Sequence, residues 1–343
     1  MLADLPRILE WRDVGSTPQT WRSDFLGRLE SGFRELCDGG GEPAELARQL
    51  DAVPEERRAR LLRSPWLSYG ILRRRPWLDI ELAARAVRAE LVRAGVAPAT
   101  AEPLWTAHGD ECFTAAGAAG GSRAGTDLPI ALDEASPFPV PPPGAPLEPL
   151  ATEDRVLVRR RIAETLEAIR AISAGLHDIV ARFDEVIVVR RGPGESRFRC
   201  GSHDRLVGIV ILRNPHLPHV SLAFMADAVV HESTHNMLRN HEALHGEFAK
   251  GSGDAIESPW SGNPLSLQSY VHACAVWYGL VHFWELVATS GHPSWMRADV
   301  ETARRRAAGG FLARPVSRLD PFLARVRPEI VSALREMEAR ILS

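Results

Sequence analysis

Apolar residues recur at helical spacing through most of the first hundred positions. Phe25, Leu29, Phe33, Leu36 and Cys37 form one such stripe and predict a helix with a single buried face. A second helical run covers 43–62, opening on Pro43 and rich in Ala, Leu, Glu and Arg, with Pro54 placed to divide it. A third covers 78–94 and stops at Gly95 and Pro98. Residues 115–125 are too rich in Gly to predict a regular element. Seven prolines between Pro137 and Pro149 demand an extended stretch. That stretch marks the expected boundary: a helical N-terminal region over 1–132, a Pro-rich linker over 133–150, and a second domain over 151–343. In the second domain, 153–183 predicts one long helix with Leu157, Ile162, Leu166, Ile169, Ile172, Leu176 and Ile179 inside. Two β-branched runs, 186–189 and 206–212, predict short strands. A helix from near Ser221 and more helices after Pro264 complete the chain, the last over 328–342 with a solvated Arg- and Glu-rich face. The expected class is mainly α with a small β-sheet (α+β).

Composition narrows the setting. With 343 residues, 45% apolar and 25% charged, the chain can bury the core of one large domain or two ordinary ones. Its 41 basic and 44 acidic side chains leave a net charge of −3, which offers no basic field for nucleic acid or anionic membrane. Lys250 is the sole lysine, a compositional bias towards Arg. Cys37, Cys112, Cys200 and Cys274 form no CxxC pair and read as buried thiols of a reducing compartment. The N-terminus lacks the pattern of a signal peptide, so a cytoplasmic location is expected. Ser258 to Trp284 carries no formal charge and is long enough to cross a bilayer. It also holds Pro259, Asn263, Pro264, Gln268, His272 and His282, each costly in hydrocarbon, so a buried helix and no membrane partner are expected.

Nine of the 12 histidines fall between His203 and His282. Among them is His231-Glu232-Ser233-Thr234-His235, preceded by a largely apolar run from Leu222 to Val230. On a helix, histidines at i and i+4 lie about 40° apart in azimuth and ~6 Å along the axis, so both rings reach one ion. Glu232 then stands near the metal without ligating it, the place of a general base in metallohydrolases. A second copy, His241-Glu242-Ala243-Leu244-His245, begins ten residues later. His241 is also where metzincins place a third ligand, but that geometry needs a Gly where this chain has Leu238, a helix former. If the helix continues, His241 is ~15 Å along the axis from His231 and out of reach. His241 and His245 are therefore expected as polar residues at a helix C-terminus, where imidazolium is favoured. A third ligand must come from farther away. His272 is either that ligand or a satisfied core histidine, with His282 and Glu285 as fallbacks; Glu285 would make a two-His, one-carboxylate set.

The runs Arg199-Cys-Gly-Ser-His-Asp-Arg205, Leu206 to Pro215, and Met225-Ala-Asp-Ala-Val-Val-His-Glu-Ser-Thr-His-Asn-Met-Leu238 resemble the HExxH-domain proteins encoded beside ribosomally made, modified peptides. The match continues through Ser258-Pro-Trp260, Pro264-Leu265 and His272-Ala273. Members of that group include iron- and 2-oxoglutarate-dependent peptide β-hydroxylases. The resemblance implies a zincin-like HExxH helix beside short strands, His231, His235 and His272 as iron ligands, and Gly201 and Ser202 at the edge of the site. Members often carry an arginine between the Trp and the Pro-Leu, where this chain has Ser261-Gly262-Asn263. A cosubstrate carboxylate needs a cationic or hydroxyl partner; Ser202, Arg205 and Arg213 are the residues taken for that role, with Arg199 and Arg239 also available. Three functions follow as expectations. The first is Fe(II)/2-oxoglutarate β-hydroxylation of a ribosomal precursor peptide, with a neighbouring peptide-modifying enzyme as a further expected partner. The second is a zinc peptidase with Glu232 as general base, and the third a catalytically silent peptide-binding module.

Overall fold

The computed structural model describes residues 2–37, 42–73, 80–115, 117–119, 128–132, 148–192, 197–203, 206–251, 253, 255–292 and 295–343. The proline-rich run over 133–147 lies outside them, as does Arg205. The chain opens with α1 (Leu5–Ile8), α2 (Thr17–Cys37), α3 (Glu42–Asp51), α4 (Glu55–Arg63), α5 (Pro65–Arg73) and α6 (Ile80–Arg93). Strands β1 (Leu104–Trp105), β2 (Cys112–Thr114), β3 (Gly117–Ala119) and β4 (Ile130–Ala131) follow. Then come α7 (Thr152–Ile172), α8 (Ala174–Phe183), β5 (Val186–Arg190), β6 (Arg199–Gly201) and β7 (Ile209–Arg213). The last part holds α9 (Leu222–His245), β8 (Ile256–Glu257), β9 (Pro264–Leu265), α10 (Leu267–Ser290), α11 (Arg297–Gly309) and α12 (Pro328–Leu342). Helix accounts for 64% of the described residues and the sheets are small, an α+β composition.

Two compact units interleave along the chain and do not follow a sequential division at 133–150. The first gathers Met1–Trp21, Glu164–Val180 and Ser221–Ser343; the second gathers Arg22–Ala163 and Ala181–Val220.

In the second unit, β4, β5 and β7 run parallel and β6 adds an antiparallel edge, in the order β4-β5-β7-β6. Ala131, Val186, Val188, Leu206 and Ile209 form one buried apolar cluster there, with Trp66, Tyr69 and Ile211 packed on it. The expected strand over 206–212 begins only at Ile209. Gly208 before it has φ +97°, and a Cβ there would meet Glu185 Cγ at 2.6 Å, so the chain turns tightly before it can pair. Residues 117–119, expected to be irregular, instead pair with β2, Gly117 opposite Thr114. Cys200 is exposed on the edge strand, unlike the buried Cys112 and Cys274.

In the first unit, α10 packs against α9, α11 and α12. It is 24 residues long, enough to span a bilayer, and an 18-residue stretch of it has a mean hydropathy of 1.2, yet 78% of that stretch is buried inside the protein. Gly279 on α10 admits Trp11, whose indole N–H donates to the Gly279 carbonyl at 2.7 Å; a Cβ there would lie 2.7 Å from the ring. The single helix expected over 153–183 is broken at Ser173. The Ser173 hydroxyl donates to the Trp11 carbonyl at 2.6 Å and accepts the Leu176 N–H at 3.1 Å, so it caps α8.

Candidate metal centre

Helix α9 starts where Ser221 caps the Phe224 N–H at 3.3 Å and continues without interruption to His245. Leu238 therefore does what a helix former does, and the turn that metzincin geometry requires is absent from α9. From Met225 to Glu242 every residue of this helix is buried except four: Asp227, His231, His235 and Arg239. They succeed one another at i+4, one acid, two imidazoles and one guanidinium on a single half-buried stripe. Ser233 and Thr234, on the buried side, return their hydroxyls to the Val229 and Val230 carbonyls at 2.7 Å each.

On this stripe the rings of His231 and His235 lie 5.0 Å apart by centroid. One ligand atom from each of His231, Glu232 and His235 falls within 4.8 Å of the others. Two imidazole nitrogens and a carboxylate at this spacing are a donor set that suits Zn(II) and Fe(II) alike. Burial holds the His235 imidazole well below its usual range, helped by the nearby His231, Arg239 and His272, so the ring is neutral and its lone pair available.

His272, on α10, is brought to the same place from across the interface. Its ring stacks on His235 at 5.6 Å, with the two Nδ1 atoms 3.4 Å apart. It stands beside the three-residue cluster and is not counted within it. The fallbacks lie elsewhere: His282 is ten residues farther along α10, ~15 Å on, and its Nδ1 pairs with Glu285 at 3.2 Å. Ser202 and Arg213 belong to the second unit, as does Arg199.

An aromatic wall flanks the centre. Trp277 meets His231 edge-on at 5.7 Å and carries Trp260 stacked on its other side at 5.6 Å. Trp260 comes from the turn of the β8–β9 hairpin, and its indole N–H donates to the Ala307 carbonyl at 2.9 Å. Gly310 makes room, since a Cβ there would sit 2.2 Å from the indole nitrogen. Arg306 places its guanidinium 4.9 Å from the Trp277 ring centroid. Asp227 accepts the Trp284 indole N–H at 2.8 Å; burial pushes its carboxyl up, against the opposing pull of that bond, His231 and Arg306.

Asp227, Arg306, Trp277 and Trp284 were not singled out from the sequence. Asp227 was discoverable, because it stands four residues before His231 on the same helix face. Arg306 and the two tryptophans meet the centre across helix interfaces that no local spacing reveals. The second copy also departs from expectation. His241 is 1% exposed, packed edge-on to Trp21 at 4.7 Å and beside Phe248 at 5.4 Å. Burial lowers its pKa to about 4, so imidazolium is disfavoured there. No family model matches this chain, and no curated protein matches it either.

Proposed function

We propose that the protein is a non-haem iron, 2-oxoglutarate-dependent hydroxylase of peptide side chains, with a zincin-like placement of its motif helix. The observation that carries the reading is the half-buried stripe Asp227–His231–His235–Arg239 in the otherwise buried Met225–Glu242 part of α9, with His272 stacked against it. A polar stripe through a helix core is costly unless its groups converge on something. His231, His235 and His272 would hold the metal. Iron with 2-oxoglutarate supplies oxidation of a C–H bond by O₂, one oxygen atom entering the peptide and the other leaving in succinate as carbon dioxide is lost. Glu232 would hold a water or peptide group beside the metal by hydrogen bonding. Arg306 and Arg239 are the cations of the same unit that suit a cosubstrate carboxylate, in place of the arginine that the resembling proteins carry before Pro264. Trp277 and Trp260 would limit water on one side. The peptide class of substrate comes from the resemblance over roughly 195–290.

The test is turnover. Protein purified without oxygen and loaded with Fe(II) is given 2-oxoglutarate, O₂ and a candidate ribosomal precursor peptide. The expected result is a peptide heavier by one oxygen atom with matching succinate. Cleavage of that peptide by zinc-loaded protein under strict anaerobiosis would replace this reading with a peptidase using Glu232 as general base. Tight peptide binding with neither reaction would leave the silent module.

A further inference from the structure

Glu242 belongs to the second HExxH copy, yet its carboxylate is committed to α10. One oxygen, Oε2, lies 3.0 Å from His272 Nε2 and accepts the Gln268 side-chain N–H at 3.2 Å. The other, Oε1, accepts the backbone N–H of Phe248 at 2.7 Å. An ionised carboxylate only accepts, so the His272 nitrogen facing it carries the hydrogen. In a neutral imidazole the other nitrogen then has a bare lone pair. That nitrogen, Nδ1, is the one 3.4 Å from His235 Nδ1. Flipping the ring would set carbons against both Glu242 and His235 and leave the carboxylate a donor short. Two imidazole nitrogens on one ion at about 2.0–2.1 Å lie about 3 to 3.4 Å apart, which matches the observed separation. Phe248, fully buried, closes the ring's other flank at 5.5 Å.

We infer that Glu242 is a positioning residue of the metal centre: it fixes the tautomer and orientation of His272 so that Nδ1 faces the ion held by His231 and His235. The inference rests on the ligand reading of those two histidines. It gives the repeated motif a division of labour, in which the first copy binds and the glutamate of the second orients the ligand brought by α10. Partners of this kind typically change metal affinity 10- to 100-fold.

Two measurements on the full chain test it. Metal-free protein labelled with ¹⁵N-histidine should give His272 as the Nε2–H tautomer in wild type and lose that preference in Glu242→Gln. Titration with Co(II) against a chelator should show Glu242→Gln binding one equivalent about 10- to 100-fold more weakly, with an altered ligand-field spectrum. Gln268→Ala, which removes one donor to Glu242 Oε2 and leaves those from His272 and Phe248, should stay near wild type in both. An Nδ1–H tautomer at His272 in wild type overturns the inference. So do unchanged affinity and spectrum in Glu242→Gln. If His231→Ala leaves cobalt binding intact, the ligand reading itself has failed, a result the tautomer measurement does not mimic.

Discussion

His231–His235 and His241–His245 are the same five-residue pattern, set ten residues apart on one helix. Both pairs bring their rings close, 5.0 Å by centroid in the first and 4.4 Å in the second. Beyond that they diverge. The first pair lies on the half-buried stripe of α9 with Glu232 within ligand distance and a third histidine stacked on it. The second is split: His241 is sealed among Trp21 and Phe248, His245 is exposed at the helix end, and Glu242 turns to α10. Spacing along a helix guarantees only that two rings share a face. What stands across from that face decides whether they form a site, and the ten-residue offset rotates the second copy by ~80° towards a different neighbour.

The largest effect expected from breaking this comparison is on metal binding. His231→Ala or His235→Ala should weaken Zn(II) or Co(II) binding by more than about 100-fold, because the helix then contributes a single imidazole. Chelator competition with isothermal titration measures this. Binding at wild-type strength in either variant would place the ion elsewhere.

The next effect belongs to the second copy and reads out in stability. His241 titrates at about 4 in the fold against an ordinary value of 6.5, burial being the main cause. The unfolded chain therefore binds the proton more readily, and stability falls as pH drops from about 6.5 towards 4. The loss is about 3 kcal/mol once both values are passed. Neither ring nitrogen of His241 has a hydrogen-bond partner among the described residues, so little is lost by removing them. His241→Leu should match wild type within about 1.5 kcal/mol at pH 8 and exceed it at pH 4.5. Urea denaturation at the two pH values decides the point; a constant difference between the proteins would show that His241 is not the titrating group.

How much of this was readable beforehand divides along the same line. Helices with one apolar face came through from periodicity: the stripe from Phe25 to Phe33 is buried along α2, and Pro54 separates α3 from α4. The i, i+4 pair His231 and His235 and the buried nature of α10 were likewise local properties. The break at Ser173 was not, because the apolar stripe runs straight through it and the cap depends on the carbonyl of Trp11, 162 positions away. The fate of His241 was hidden for the same reason. Its sequence neighbours place it near a helix end, whereas Trp21 and Phe248 bury it. His272 was legible as a buried histidine, but the carboxylate that orients it lies on another helix.

The first copy is flanked by the Trp277–Trp260 stack, and Gly310 is the point at which to disturb it. A methyl group there must displace the Trp260 indole, which bonds Ala307 and stacks on Trp277. Gly310→Ala should cost about 1 to 2 kcal/mol by overpacking and alter tryptophan fluorescence. Metal affinity should stay within a few-fold, since Trp277 rather than Trp260 meets His231. A collapse of metal binding in this variant would mean that the wall itself holds His231 in place.

The smallest effect is expected at His245, and it sharpens the contrast most cleanly. Its side chain is exposed in the last turn of α9, and the chain leaves the helix at Gly246, whose φ of 89° suits glycine. The contact it makes inside the protein is with the ring of His241, and that ring is already held by Trp21 and Phe248. His245→Ala should therefore change stability by no more than about 0.5 kcal/mol and leave metal affinity unchanged. Paired with His235→Ala, which occupies the equivalent position of the first copy, it separates spacing from surroundings, because the two substitutions are identical in chemistry and motif position. Equal losses of metal in both variants would mean that the two copies act together on one ion, and that His241 and Glu242 serve it from the other side.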